Sequence, residues 1–161
     1  YVSEDIMQYV NRRTAIHRLS ALALCGILIS LAGPAIADGK IFTSWGKAIR
    51  GYDPVAYFTQ HKPVEGSAGF THQWMGAKWR FANAANRDAF AKTPAKYAPQ
   101  YGGYCAWAVS EGYTASSDPE AWHIRDGKLY LNYSKSVQAT WAQDIPGNIE
   151  KANGNWPKVI E

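Results

Sequence analysis

Ala121-Trp122-His123-Ile124-Arg125-Asp126-Gly127-Lys128-Leu129-Tyr130-Leu131-Asn132 reads as two strands around a tight turn. Asp-Gly is a strong hairpin signal because both residues tolerate the positive φ of a type I′ turn. Pairing outward from that turn sets Ile124 against Leu129 and Trp122 against Leu131 on one face. His123 meets Tyr130 on the other. The first face is apolar throughout and predicts a core surface. His123 is expected to face outward as a plain surface residue.

Working outward from this hairpin, a second one is predicted over Phe70–Phe81. With Gly76-Ala77 as its turn, Trp74 pairs with Trp79 and His72 with Phe81. Phe70, His72, Trp74, Trp79 and Phe81 then share one face by period-2 alternation. Helical segments surround the two hairpins. Asp53-Pro54 opens one as N-cap and first helical residue. Asn83 caps another over Ala84–Lys92, ended by Thr93-Pro94, and a turn over Pro94–Tyr97 follows. Cys105 to Ser110 is predicted helical, closed by Gly112. Ser134 caps a helix carrying Val137 and Trp141 and broken by Pro146, with a short helix over Asn148–Ala152 after it. Hairpin, helices, hairpin, helices predicts a small single α+β domain, two β-hairpins (about 70–81 and 121–132) packed against short helices.

Composition narrows the class. Apolar residues make up 47% of the 161 and aromatics 14%, which excludes general disorder. Two cysteines exclude a disulfide-stapled scaffold and a four-thiolate zinc ribbon. The net charge is +4, with the basic residues scattered singly, so nucleic acid is not an expected partner.

The first 37 residues differ in kind. Arg12, Arg13 and Arg18 precede an apolar run from Leu19 to Ala32, and Ala35-Ile36-Ala37 follows. This is the pattern of a cleaved secretory signal peptide. The run is shorter than the roughly 20 residues needed to span a bilayer. Tyr1 to Ile6 reads as an extension ahead of Met7, and Arg12-Arg13 also admits the twin-arginine route. The expected product is a periplasmic or secreted domain over residues 38–161, with no membrane contact once cleaved. Cleavage removes three arginines, two acids and Cys25, leaving 124 residues with a net charge of +3 and one cysteine, Cys105. That domain has no internal disulfide.

Several motifs together resemble the YHS domain family, in its exported single-domain branch. They are Gly51-Tyr52-Asp53-Pro54-Val55-Ala56-Tyr57-Phe58, Phe90 with Pro94-x-x-Tyr97, and Tyr101-Gly102-Gly103-Tyr104-Cys105-Ala106. Asp118-Pro119-Glu120-Ala121-Trp122 and Asp126-Gly127-Lys128-Leu129-Tyr130-Leu131-Asn132 complete the set, which spans roughly residues 48–157. The resemblance implies association with metal handling, chiefly copper. The metal-associated members carry cysteines after Asp-Pro-Val and in a Phe-Cys-Ser-x-x-Cys run. Here those positions hold Ala56, Ala82 and Asn86. Cu(I) selects thiolate and thioether ligands, so those positions cannot form such a site.

Two sets of residues remain as candidates. Cys105, early in a predicted helix, is the one reactive thiol, and a helix N-terminus favours its thiolate. With His72 it forms the best two-ligand nucleus for copper, although free cysteines are more often buried core residues. Tyr97, Tyr101, Tyr104 and Trp107 cluster around two glycines and offer a floor for a small ligand or an anchor for a periplasmic protein partner. The bland alternative is that these rings fill a small core. No hydrolase elbow, zinc-protease motif or phosphate loop is present, so no catalytic residue is nominated and a non-enzymatic binding module is expected.

Overall fold

The computed structural model describes residues 39–161. The expected leader, its cleavage site and its export route lie outside the described residues. In chain order the elements are β1 (Thr43–Ser44), β2 (Lys47–Ala48), α1 (Ala56–Thr59), β3 (Ser67–Trp74) and β4 (Ala77–Phe81). Helices α2 (Ala84–Lys92), α3 (Pro94–Tyr97) and α4 (Ala106–Ser110) follow. The chain then forms β5 (Asp118–Arg125), β6 (Lys128–Asn132), α5 (Lys135–Trp141) and α6 (Ile145–Asn155). The domain is α+β: a four-stranded sheet in the order β1-β2-β4-β3, a separate β5–β6 hairpin, and short helices against both.

The β5–β6 hairpin has the expected register. Trp122 pairs with Leu131, His123 with Tyr130 and Ile124 with Leu129, across Asp126 (φ 52°) and Gly127 (φ 71°). Its second face, however, is also covered. Leu129 and Leu131 belong to a core with Trp79, Phe81 and Phe90, whereas Tyr130 belongs to a second core with Tyr101, Val109 and Trp141. His123 is accordingly half-buried, 5.7 Å from the Trp141 ring, and not the surface residue expected. The hairpin is a partition between two cores.

The first hairpin turns one residue earlier than expected, at Met75 (φ 48°) and Gly76 (φ 73°). His72 therefore pairs with Trp79, and Trp74 with Ala77. The register moves by two residues, an even number, so the predicted apolar face survives intact. Methionine rarely leads a type I′ turn, which hid this one, but Gly76 supplies the second positive φ and Ala77 is freed to enter the core. On that face Phe90 from α2 has the rings of Trp79, Phe81, Trp74 and His72 at 5.0 to 6.1 Å.

Two features were not foreseen. The lead-in to Gly51 folds as β1 and β2 around Trp45-Gly46, and β2 joins β4 in parallel. The chain also breaks just before Pro146, as expected, but the helix expected over Asn148–Ala152 is longer, Ile145–Asn155, and takes Pro146 into its first turn. Asp144 accepts from Gly147 N at 3.0 Å, and the proline occupies the first turn, where a missing N–H costs nothing. Ser134 and Asn83 cap as expected, accepting from Val137 N and Asn86 N. Among the described residues no helix is long and apolar enough to cross a membrane.

Candidate functional site

Asp53 organises the first part of the domain. Its side chain is fully buried, and both oxygens are used. Oδ1 accepts from Val55 N at 2.8 Å and Ala56 N at 3.3 Å, holding a turn that leads into α1, which begins at Ala56 and not at Pro54 as expected. Oδ2 accepts from Ala82 N at 2.8 Å and Asn86 Nδ2 at 2.7 Å. Ala56, Ala82 and Asn86 thus meet around one carboxylate. Four donors leave that carboxylate no free hydrogen-bonding capacity in a dry setting. It is a structural hub.

Cys105 lies away from this hub, beside the end of β6. It immediately precedes α4 and bridges to Leu131, with its N–H donating to Ala115 O at 3.0 Å. The residue is 1% exposed. Sγ accepts from Tyr133 N at 3.2 Å and lies 3.8 Å from Asn132 Oδ1. Burial pushes the thiol above its ordinary pKa, outweighing the lowering effect of the Ala108, Tyr133 and Trp107 N–H groups. The helix N-terminus expected to favour a thiolate does not prevail, because desolvation is the larger effect.

Asn132 beside it is only half satisfied. Oδ1 accepts from Trp107 N at 3.1 Å, which fixes the orientation of the amide, while Nδ2 is buried without a partner. An unpaired buried donor costs on the order of 1–3 kcal/mol. Above the thiol opens a cleft of about 280 Å³ lined by Cys105, Trp107, Ala108, Tyr113, Ala115, Tyr133 and Val137. None of these side chains is charged. Tyr113 and Tyr133 are 52% and 57% exposed, large rings left in water at the cleft mouth.

Of the other expected residues, His72 and Tyr97 go to the first core, while Tyr101 and Tyr104 pack with Trp107 on the second. His72 stacks edge-on against Phe90 in the first core, and it is neither a partner of Cys105 nor part of the cleft. Tyr97 packs against Phe58, with Lys96 Nζ 5.2 Å from its ring. Tyr101 is buried in the second core and its hydroxyl donates to Asn153 Oδ1 at 3.0 Å. Tyr104 leans on Trp156 and Phe42 and donates to Gly39 O at 2.8 Å. Of the four rings proposed as one patch, only Trp107 reaches the cleft. The two glycines between them serve packing: at Gly102 (φ 61°) a Cβ would collide with the Lys40 carbonyl oxygen.

Tyr113, Tyr133, Val137 and Asn132 escaped sequence reasoning. Tyr113, Asn132 and Tyr133 sit at the end of an element or in a loop, where no periodicity marks a shared surface, and the helical spacing of Val137 with Trp141 pointed to a core and not to a cleft. The one available signal was two tyrosines in segments with no apolar face to join. Comparisons with family models, curated proteins and solved structures find no match.

The residues present do not fit a soft-metal site. Among the described residues no group of three or more His, Cys, Asp or Glu side chains converges on a common point. The thiol is buried, and the hub carboxylate is saturated by its own backbone and Asn86.

Proposed function

We propose that this chain is a non-enzymatic, exported binding module of YHS type, periplasmic or secreted, whose ligand enters the cleft over Cys105. The carrying observation is the cleft itself: uncharged, apolar at its base and walled by Trp107, Tyr113 and Tyr133. Such a lining favours a flat, uncharged, ring-bearing molecule, because stacking is gained and no charge is left desolvated. The YHS reading is supported by the convergence of Ala56, Ala82 and Asn86 on Asp53, since motif positions far apart in sequence meet at one point. Copper handling through Cys105 and His72 is not adopted, because the two residues have separate environments.

Titration with indole and 2-naphthol, followed by tryptophan fluorescence and calorimetry, tests this reading. Binding is expected to weaken by roughly ten-fold or more in Tyr133→Ala and to be unchanged in Tyr104→Ala, whose ring lies outside the cleft. Equal binding by both variants and the unaltered protein would refute it. A parallel Cu(I) titration is expected to give no stoichiometric binding that Cys105→Ser abolishes.

A further inference from the structure

The four-stranded sheet buries one face and turns the other to solvent. Ala77, Trp79 and Phe81 of β4 point into the core, so Lys78 and Arg80 occupy the outer face. Lys47 of β2 pairs with Lys78 and joins them there. The stems of Lys47 and Arg80 converge over Gly51, where an added Cβ would lie 3.2 Å from Lys47 Cδ and 3.5 Å from Arg80 Cδ. Arg50, exposed, is the next residue along. Among the described residues none of these four cations has an ion-pair or hydrogen-bond partner, and Arg80 Nε is buried without one. Glu65, bridged to Tyr52 nearby, pairs with none of them. The rest of the face is neutral: Ser44, Thr71 and Gln73 are the register partners of Lys47, Arg80 and Lys78.

Like charges side by side on adjacent strands are destabilising. Here they are retained with no internal counter-charge, which leaves the compensation to something outside the domain. Trp45 adds a second, independent oddity. It is 95% exposed at the tip of the β1–β2 hairpin, at φ 53°, where glycine or asparagine is the low-cost choice. It packs on nothing, and it adjoins the cations.

We propose that this face docks the protein on an anionic lipid bilayer, with Lys47, Arg50, Lys78 and Arg80 meeting headgroup phosphates. Trp45 enters the headgroup layer as an aromatic anchor. A planar anionic surface fits better than a nucleic acid. The face offers one exposed ring, Trp45 at its edge, and no row of rings on which successive bases could stack, and none of the three clefts described for this domain is lined by these cations. The inference reverses the expectation of no membrane contact after cleavage. Cations scattered along the sequence come together only once β2 lies beside β4.

Vesicle co-sedimentation tests it, using phosphatidylglycerol/phosphatidylcholine and pure phosphatidylcholine vesicles. All proteins carry the same N-terminus, so any contribution from residues 1–37 is common to them. Binding is expected only with phosphatidylglycerol. It should fall about five-fold for each of Lys47→Gln and Lys78→Gln and on the order of ten-fold for Trp45→Ala. It should be lost at about 0.5 M salt. Circular dichroism should show all three variants folded. Equal partition into both vesicle types would overturn the proposal, as would folded variants that bind like the unaltered protein. Capture of a single-stranded oligonucleotide by these residues, with no vesicle binding, would overturn it as well.

Discussion

Asp53 and Cys105 are buried polar groups in two separate parts of the domain, and they are finished to different degrees. Asp53 is enclosed by four donors and lines none of the three clefts described for this domain. Cys105 is just as buried, yet its neighbour Asn132 keeps an unpaired donor, and a ring-walled cleft opens above the thiol. A fully satisfied polar cluster rigidifies a fold. A partly satisfied one beside an open apolar cleft retains capacity for something else. On the function proposed above, the first place serves structure and the second binding.

The comparison breaks most visibly at Asp53. Asp53→Ala leaves three backbone N–H groups and the Asn86 amide without their acceptor, so it should cost on the order of 4 kcal/mol. Urea unfolding measures this, and a loss below about 1 kcal/mol would show that the hub is dispensable.

Alkaline pH probes both places at once. Burial raises the hydroxyl pKa values of Tyr57 beside the hub and of Tyr101, Tyr104 and Tyr130 in the second core, along with the Cys105 thiol. Each raised group stays protonated in the folded state after the unfolded chain has begun to ionise. Their stabilisation is therefore complete below about pH 8 and declines as pH rises through about 9–10 toward the folded values. Thermal melts from pH 7 to 11 should show a falling Tm beginning above about pH 8.5. A flat profile would contradict the burial of these groups.

Asn132→Ala should cost only about 1–2 kcal/mol, since it removes the acceptor of Trp107 N but also an unpaired donor. A cost matching Asp53→Ala would erase the distinction between the two places. Smallest of all, Tyr113→Ala and Tyr133→Ala should change stability by less than about 0.5 kcal/mol, because both rings are largely in water. If either costs as much as a core residue, the cleft mouth is packing and not a binding surface.

Local chemistry made one place more legible than the other. Asp126-Gly127 specified its hairpin to the residue, and Asp53, Asn83 and Ser134 announced helix starts through side chains that cap their own neighbours. Met75-Gly76 hid its turn, because methionine is not a turn residue, yet alternation still preserved the apolar face. The cleft was mostly illegible. Trp107, Tyr113 and Tyr133 come together only because Cys105 bridges to Leu131, a long-range contact no spacing reveals. Of the Tyr97–Trp107 cluster, compact in sequence, the fold sends Tyr97 to the first core and keeps Tyr101, Tyr104 and Trp107 on the second, where only Trp107 lines the cleft.

Amide chemical-shift mapping with indole on the unaltered protein tests the central claim most directly. The account predicts perturbations centred on Trp107, Tyr113, Tyr133 and Val137, with the amides of Ala56, Ala82 and Asn86 unmoved. Perturbations centred on the Asp53 hub, or none at saturating indole, would contradict it.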